Sequence, residues 1–188
     1  MAEPRNYTLG MAQLTFWEDT SAAGDGSSMK QWNIGNIVNC SLAPEVTTLD
    51  HFTVNNGTRK KDRTLITQKT LAINFTFDEI TAGALKEFLL ASAAGTASAS
   101  GYHVYPMVKG EIKGCAKLTF TTEFGRNWEW TVPCAAFKPD GTFDFNAEDW
   151  MNAKGIIDVL MDESASGSAM PYGTITFTEA STTENFES

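Results

Sequence analysis

Ala12, Leu14 and Phe16 alternate with Gln13 and Thr15, a period of two that puts the apolar side chains on one face of an extended strand. The same spacing returns from Trp32 to Leu42, where Trp32, Ile34, Val38, Cys40 and Leu42 share a face against Asn33, Asn39 and Ser41. It returns over Lys69 to Phe77, with Leu71, Ile73, Phe75 and Phe77 set against Thr70, Ala72, Asn74 and Thr76. Tyr102 to Val108 reads as a strand with Pro106 at an edge or bulge. Ala116 to Phe124 and Trp128 to Cys134 alternate on either side of a Gly125-Arg126-Asn127 turn. After a Pro139-Asp140-Gly141 turn come strands over Ala153 to Met161 and around Ile175 and Phe177. Only one stretch has helical spacing. Ile80, Ala84, Leu85, Phe88 and Leu89 predict a helix over about Glu79 to Ala91, with Asp78 as its N-cap. The small residues of Ser92 to Gly101 predict a linker, as do the Gly and Ser residues of Ser21 to Lys30. Seven or eight strands and one helix predict a mainly β fold, an antiparallel sandwich or barrel with one flanking helix, in a single domain spanning the chain.

One segment departs from this rhythm. Ala43 to Gln68 lies between two clear strands and is far longer than the usual connection of about 4–6 residues. It holds the apolar residues Val46, Leu49, Phe52 and Val54, an Asn55-Asn56-Gly57 turn signal, and the charge cluster Arg59-Lys60-Lys61-Asp62-Arg63. A disordered linker lacks apolar residues at such density. The segment is therefore expected to be an arm, mobile in the free chain, that becomes ordered on meeting a partner. Its candidate contact residues are Leu49, Phe52, Val54, Arg59, Lys60, Lys61 and Arg63.

Composition narrows the partners. The 188 residues carry 23 acids and 14 bases, a net charge of −9, which disfavours wrapping nucleic acid on a basic surface. The charge is also unevenly placed. Ten acids and a single base, Lys154, fall between Asp140 and Ser188, whereas Arg59 to Arg63 holds four bases and one acid. Together these two regions predict self-complementarity, a basic arm of one copy against an acidic surface of the next. Met1 to Gly10 has no apolar core of a signal peptide, and no run reaches the length of a membrane span. Cys40, Cys115 and Cys134, each in a predicted strand, read as reduced residues of a protein made in the cytosol.

Catalytic chemistry finds little support. His51 and His103 belong to no metal-spaced pair, and nucleophile-elbow, phosphate-loop and zinc-binding motifs are lacking. The Asp140, Asp144, Asn146, Glu148, Asp149 run lacks the order of a calcium loop and reads as a solvated acidic turn. The expectation is a non-enzyme without metal or organic cofactor. Trp17, Trp32, Trp128, Trp130 and Trp150 offer a rival reading, a carbohydrate-binding or adhesin-like sandwich, although their strand phase favours core or subunit interface. A hydrolase carried by Glu123, Glu129 and His103 is a third.

In order along the chain come Trp32 to Asn36 (WNIGN), an Asn-Gly-x-Arg-x-x-Asp stretch from Asn56 to Asp62 inside the arm, and a Phe-Asp-Glu-Ile helix start at Phe77 to Ile80. Pro133 to Gly141 (PCAAFKPDG), a segment centred on Trp150, and Val159-Leu160-Met161-Asp162 follow. Over about Leu9 to Phe177 this order resembles the major tail tube protein of long-tailed bacteriophages, a family related to the rings of contractile tails and type VI secretion tubes. The resemblance implies a β-sandwich with a flanking helix and no catalytic residues. It implies six copies closing a ring around a continuous inner β-barrel, with rings stacked through a long loop that matches Ala43 to Gln68. The implied partners are further copies, the tape-measure protein in the lumen, tail-tip and tail-terminator proteins, and DNA that passes without specific binding. The implied location is a virion tail assembled in the host cytoplasm.

Overall fold

The computed structural model describes residues 10–19, 28–55, 57–79, 81–98, 101–122, 127–142, 151–162 and 170–178. The fold is mainly β and antiparallel, as the alternating pattern predicts. Its elements in chain order are β1 (Gly10–Asp19), β2 (Met29–Asn33), β3 (Ile37–Asn55), β4 (Thr58–Phe77), α1 (Ala82–Phe88), β5 (Ser92–Ser98), β6 (Gly101–Tyr105), β7 (Ile112–Thr122), β8 (Asn127–Asp140), β9 (Ala153–Val159) and β10 (Thr174–Thr178).

Eight strands form one sheet in the order β2-β1-β7-β8-β9-β4-β3, with β10 added to β8. The long β8 joins two halves. One of its edges runs along β7, and its other edge is divided between β10, over Asn127 to Thr131, and β9, over Ala135 to Asp140. The sheet folds over at β8 so that β1 lies against β3. The rings that alternation placed on one face meet inside this fold. Phe137 of β8 is the hub, with ring centroids 6.5 Å from Phe16, 5.0 Å from Trp32 and 6.3 Å from Phe75. Phe16, Phe77, Leu14, Ile73, Ile112, Val132 and Ile157 complete a fully buried core. Such aromatic and branched side chains supply most of the burial free energy of a small domain.

Several boundaries differ from the sequence expectation. Trp32 to Leu42 is two strands, not one. Gly35 adopts φ +91° between them, and a side chain there would press on Glu79. The bend is tied down by Asn36 Nδ2, which donates to Asp78 Oδ1 at 2.7 Å. Asp78 is thereby occupied, and the helix is capped by Thr81 instead, whose Oγ1 accepts from the Ala84 amide at 3.0 Å. The helix ends at Phe88, shorter than expected, because Leu90 turns the chain with φ +49°. The expected linker after it is strand β5, paired with β6 in a small second sheet. Backbone hydrogen bonds outweigh weak side-chain propensity there. The connection over Ser21 to Lys30 falls mostly outside the described residues; its last two residues open β2.

Helix α1 is fixed to the body by a buried ion cluster. The segment after β6 is hydrogen-bonded to the helix end, with the amides of Met107, Val108 and Lys109 donating to the carbonyls of Leu89, Leu90 and Leu90. From it Lys109 Nζ reaches both Glu18 of β1 and, at 3.0 Å, Glu87 of α1. Glu18 and Glu87 are buried, so their carboxylates need cations to offset lost hydration; Lys109 serves both, and Lys86 Nζ adds a second contact to Glu87 at 2.9 Å.

Candidate functional site

The region between Ala43 and Gln68 is a two-stranded hairpin formed by the outer parts of β3 and β4. Cross-strand pairing runs without interruption of the ribbon from Ala43↔Ala72 to Asn55↔Thr58, and Gly57 takes φ +77° at the turn that the Asn-Asn-Gly signal marks. β9 pairs with β4 only as far out as Ala72, so beyond that point, among the described residues, the two strands have each other and no third. At about 3.3 Å per residue the hairpin extends roughly 40 Å beyond the sheet.

Register assigns each side chain to a face. Directly opposed residues share a face, and within the arm β3 carries no bulge (its one irregularity, at Val38, lies in the body), so it alternates cleanly there. One face holds Thr48/Ile66, Asp50/Thr64, Phe52/Lys61 and Val54/Arg59; the other holds Leu49/Leu65, His51/Arg63 and Thr53/Lys60. The extra residues at the two register shifts within the arm, Thr67 and Asp62, lie on β4. The candidate contact residues therefore divide. Phe52, Val54, Arg59 and Lys61 lie together on the face that continues the core side of the sheet through Val46 and Pro44. Leu49, Lys60 and Arg63 lie on the opposite face. Leu65 and Ile66, which the sequence reading did not single out, stand beside them, 55% and 51% exposed. Their signal was available, since apolar pairs in a polar ribbon mark a contact surface as well as apolar singles do.

The hairpin is held by cross-strand polar contacts as well as by its ladder. Lys61 Nζ sits 2.7 Å from Asp50 Oδ1, and Thr64 Oγ1 donates to the same oxygen at 2.9 Å. The hydrogen bonds from Lys61 and Thr64 hold the Asp50 carboxyl below the usual carboxylate range. His51 Nδ1 lies 2.7 Å from the Oδ1 of Asp62, the residue inserted at the outer bulge. The Arg59 guanidinium sits over the Phe52 ring, 5.3 Å from its centroid. None of these contacts covers Leu49, Val54, Leu65 or Ile66, all more than half exposed.

A second exposed apolar region lies where the folded sheet gapes. A groove of about 480 Å³ is lined by Met11, Val38, Cys40, Leu42, Phe120 and Trp128, among others, between β1, β7, β8 and the base of β3. Trp128 packs on Phe120 and on Phe177 of β10, with centroids 5.9 and 5.3 Å away. Burial pushes the Cys40 thiol up to about 11.

The residues of the rival readings are scattered. Trp32 and Trp130 are buried in the core, and Trp130 Nε1 donates to the Tyr172 carbonyl at 3.2 Å. Trp128 alone of the described tryptophans is markedly exposed, and Trp150 lies outside the described residues. Glu129 pairs with Lys117 at 2.8 Å, Glu123 is not described, and the backbone of His103 lies in β6 of the other sheet. Most of the acidic Asp140 to Asp149 run is likewise outside the described residues. Among the described residues no group of three or more His, Cys, Asp or Glu side chains is placed to hold a metal ion. Of the acids that were expected to face the arm, Asp158 is taken up by Lys138 within the same chain.

A family described as "Protein of unknown function UCP028589" matches residues 20–112. No curated protein sequence matches the chain. Among solved structures, a chain in the cryo-EM structure of the anti-feeding prophage (AFP) baseplate superposes with a TM-score of 0.46 at 11% identity, covering 95% of this chain and 97% of that one. A chain in the tail of an empty GTA particle gives 0.39 at 10% identity, covering 95% and 100%. A chain in the phage P2 baseplate in its activated conformation with Ca gives 0.33 at 14% identity, covering 80% of this chain and 45% of that one.

Proposed function

We propose that this chain is a structural subunit of a phage-type tail, without catalytic activity, that closes into six-membered rings and stacks them into the tail tube. The observation that carries the reading is the hairpin of β3 and β4. A free two-stranded ribbon is marginally stable in water, and this one exposes Leu49, Val54, Leu65 and Ile66 in addition. Exposed apolar residues concentrated on a projecting element mark a surface that another protein covers. The outer edges of β2 and β3, unpaired among the described residues, point the same way, because an unpaired edge on a large sheet needs a partner strand or a cover. Rotation of one copy to the next around an axis closes a ring and pairs such edges; translation along that axis makes an open stack. The net charge of −9 suits a conduit, since an acidic wall does not hold DNA phosphates. In this reading the tape-measure protein, the tail-tip and the tail-terminator proteins are the other partners.

Negative-stain microscopy and sedimentation of the purified chain over a range of concentrations test the proposal. Rings, stacked rings or filaments are the expected outcome. A compact monomer at every concentration, also in the presence of isolated tail-tip complex, overturns it.

A further inference from the structure

The next inference rests on that reading and adds how the hairpin is received. Its two faces are alike in chemistry. One carries Phe52, Val54 and Ile66 with the cations Arg59 and Lys61; the other carries Leu49 and Leu65 with the cations Lys60 and Arg63. A ribbon that lies on a single surface has one apolar face and one polar face, by the same period-two rule that sorts any half-buried strand. This ribbon has neither a polar side nor a solvent side. Val54 is 72% exposed on one face and Leu49 63% on the other, so covering either face alone leaves the second apolar cluster in water.

We propose that the hairpin is clasped on both faces, inserted between two other copies of this chain, each of which covers one face. Charge selects copies of the chain as the occupants. Arg59 to Arg63 carries net +3 in a chain of net −9, so everything outside these five residues carries −12. Lys60 and Arg63 stand on one face and Arg59 on the other, where Lys61 is already paired with Asp50, and an acidic, partly apolar body is the complementary surface. Insertion between two copies ties three chains through one element. Every arm in a stack then bridges neighbours as well as joining one ring to the next.

Photo-cross-linking distinguishes the arrangements. Benzoylphenylalanine is placed at Leu49, at Val54, or at both, and each labelled chain is diluted into a large excess of unmodified protein before assembly. Each single label is expected to give a covalent dimer, and the double label a covalent trimer, on denaturing gels. Dimers from one position only, or dimers alone from the double label, overturn the two-copy clasp and leave the proposed function standing. No cross-link to another copy from either position in assembled filaments removes the hairpin from the interface, and with it the observation on which the proposed function rests. Cross-linking to an added protein or to DNA, with none between copies, overturns both the choice of occupant and the clasp. Unlabelled chain carrying Leu65→Ser in one sample and Ile66→Ser in another supplies the second readout. The clasp requires each variant alone to lower filament yield at least severalfold while the melting temperature of the body stays unchanged, and normal yield from either overturns it.

Discussion

β3 and β4 are a single pair of strands whose two halves live in different surroundings. Between Ala72 and Phe77, β4 has β3 on one side and β9 on the other, and Ile73, Phe75 and Phe77 disappear into the core. Between Thr58 and Leu65 it has β3 alone, and both faces are open to water. The hydrogen-bond ladder is of the same kind in both halves, so the ladder does not distinguish them. What separates them is a third strand and the Phe16, Trp32 and Phe137 rings on the far side of the fold. Apolar residues in the inner half are accounted for by the fold of one chain. Apolar residues in the outer half are not, and they account for assembly instead.

This contrast sorts mutations by what they damage. The largest effect on stability is expected from Phe137→Ala, which removes the ring where the two layers meet. It should cost about 3–5 kcal/mol, read as a fall in the chemical denaturation midpoint, with assembly lost because the fold is lost. Gly155→Ala acts on the same place from the other direction. An added Cβ would lie 2.6 Å from Phe75 Cζ and 2.8 Å from Phe137 Cε2, and overpacking of this kind costs about 1–3 kcal/mol. An unchanged melting temperature in both variants would show that the body is not organised around these rings.

Lys109→Met is expected to be comparable to the glycine change, about 1–3 kcal/mol, because it removes the cation paired with buried Glu18 and leaves Glu87 to Lys86 alone. Its pH signature is specific. Burial works against the charge of Lys109, and the hydrogen bonds it donates to Glu18 and Glu87 more than offset it, so its pKa is held above the ordinary lysine value. A group raised in the folded state contributes its full stability below its unfolded pKa, about 10.4, and loses it as pH rises through the folded value. The unmodified protein should therefore weaken on the alkaline side of pH 10, and Lys109→Met should lack that slope. Identical alkaline denaturation of the two proteins would remove the cluster from the account.

The arm should behave in the opposite way. Arg59→Glu combined with Lys61→Glu is expected to leave circular dichroism and melting temperature unchanged within about 0.5 kcal/mol, as exposed substitutions generally do. Stacking should nevertheless fail under the electron microscope. Normal tubes from this double variant would shift the contact to Leu49, Phe52 and Val54 without the charges; an unfolded variant would mean that the arm belongs to the body. The smallest expected signal is local. Asp50 is held in its charged form by Lys61 and Thr64, a lowered pKa whose contribution is present above about pH 4 and lost as pH falls through the folded value. Amide exchange across Val46 to Thr64 in the free chain should be faster than in the body, and should quicken further under acid while the body remains protected. Uniform protection of arm and body at both pH values would erase the distinction between them.

How much of this was legible depends on which physics governs each element. Strands that bury one face announce themselves, and the alternation through Leu71, Ile73, Phe75 and Phe77 could be read directly. The hairpin turn at Asn55 to Thr58 was legible for a different reason, the need for φ > 0 at Gly57. The regular pairing of the arm was not legible, because with both faces solvated nothing sorts its side chains into apolar and polar, and period two loses its signal. The break at Gly35 was hidden by the apolar residues on both sides of it. The helix cap was misplaced because Asp78 and Thr81 are both good caps, and the choice depends on Asn36, more than forty residues earlier. Strand β5 was illegible because its pairing with β6 is carried by backbone groups that small residues neither advertise nor forbid. For the candidate site, residue types were readable and faces were not. The division of Arg59 and Lys61 from Lys60 and Arg63 follows from Asp62, a single inserted residue whose position only the register reveals.

The uninterrupted passage of β4 from the core to the tip has a mechanical consequence. A pull on the tip along the strand axis loads the rungs joining β4 to β3 and to β9 side by side, so they share the force instead of yielding one after another. A pull across the axis at the same point would peel the tip open from Gly57 inward. A tube strung together by such elements should therefore be stiff in tension along the arms and compliant when they are bent sideways. In force spectroscopy, single chains held at the arm tip and the body are expected to rupture at distinctly higher force under axial than under transverse loading.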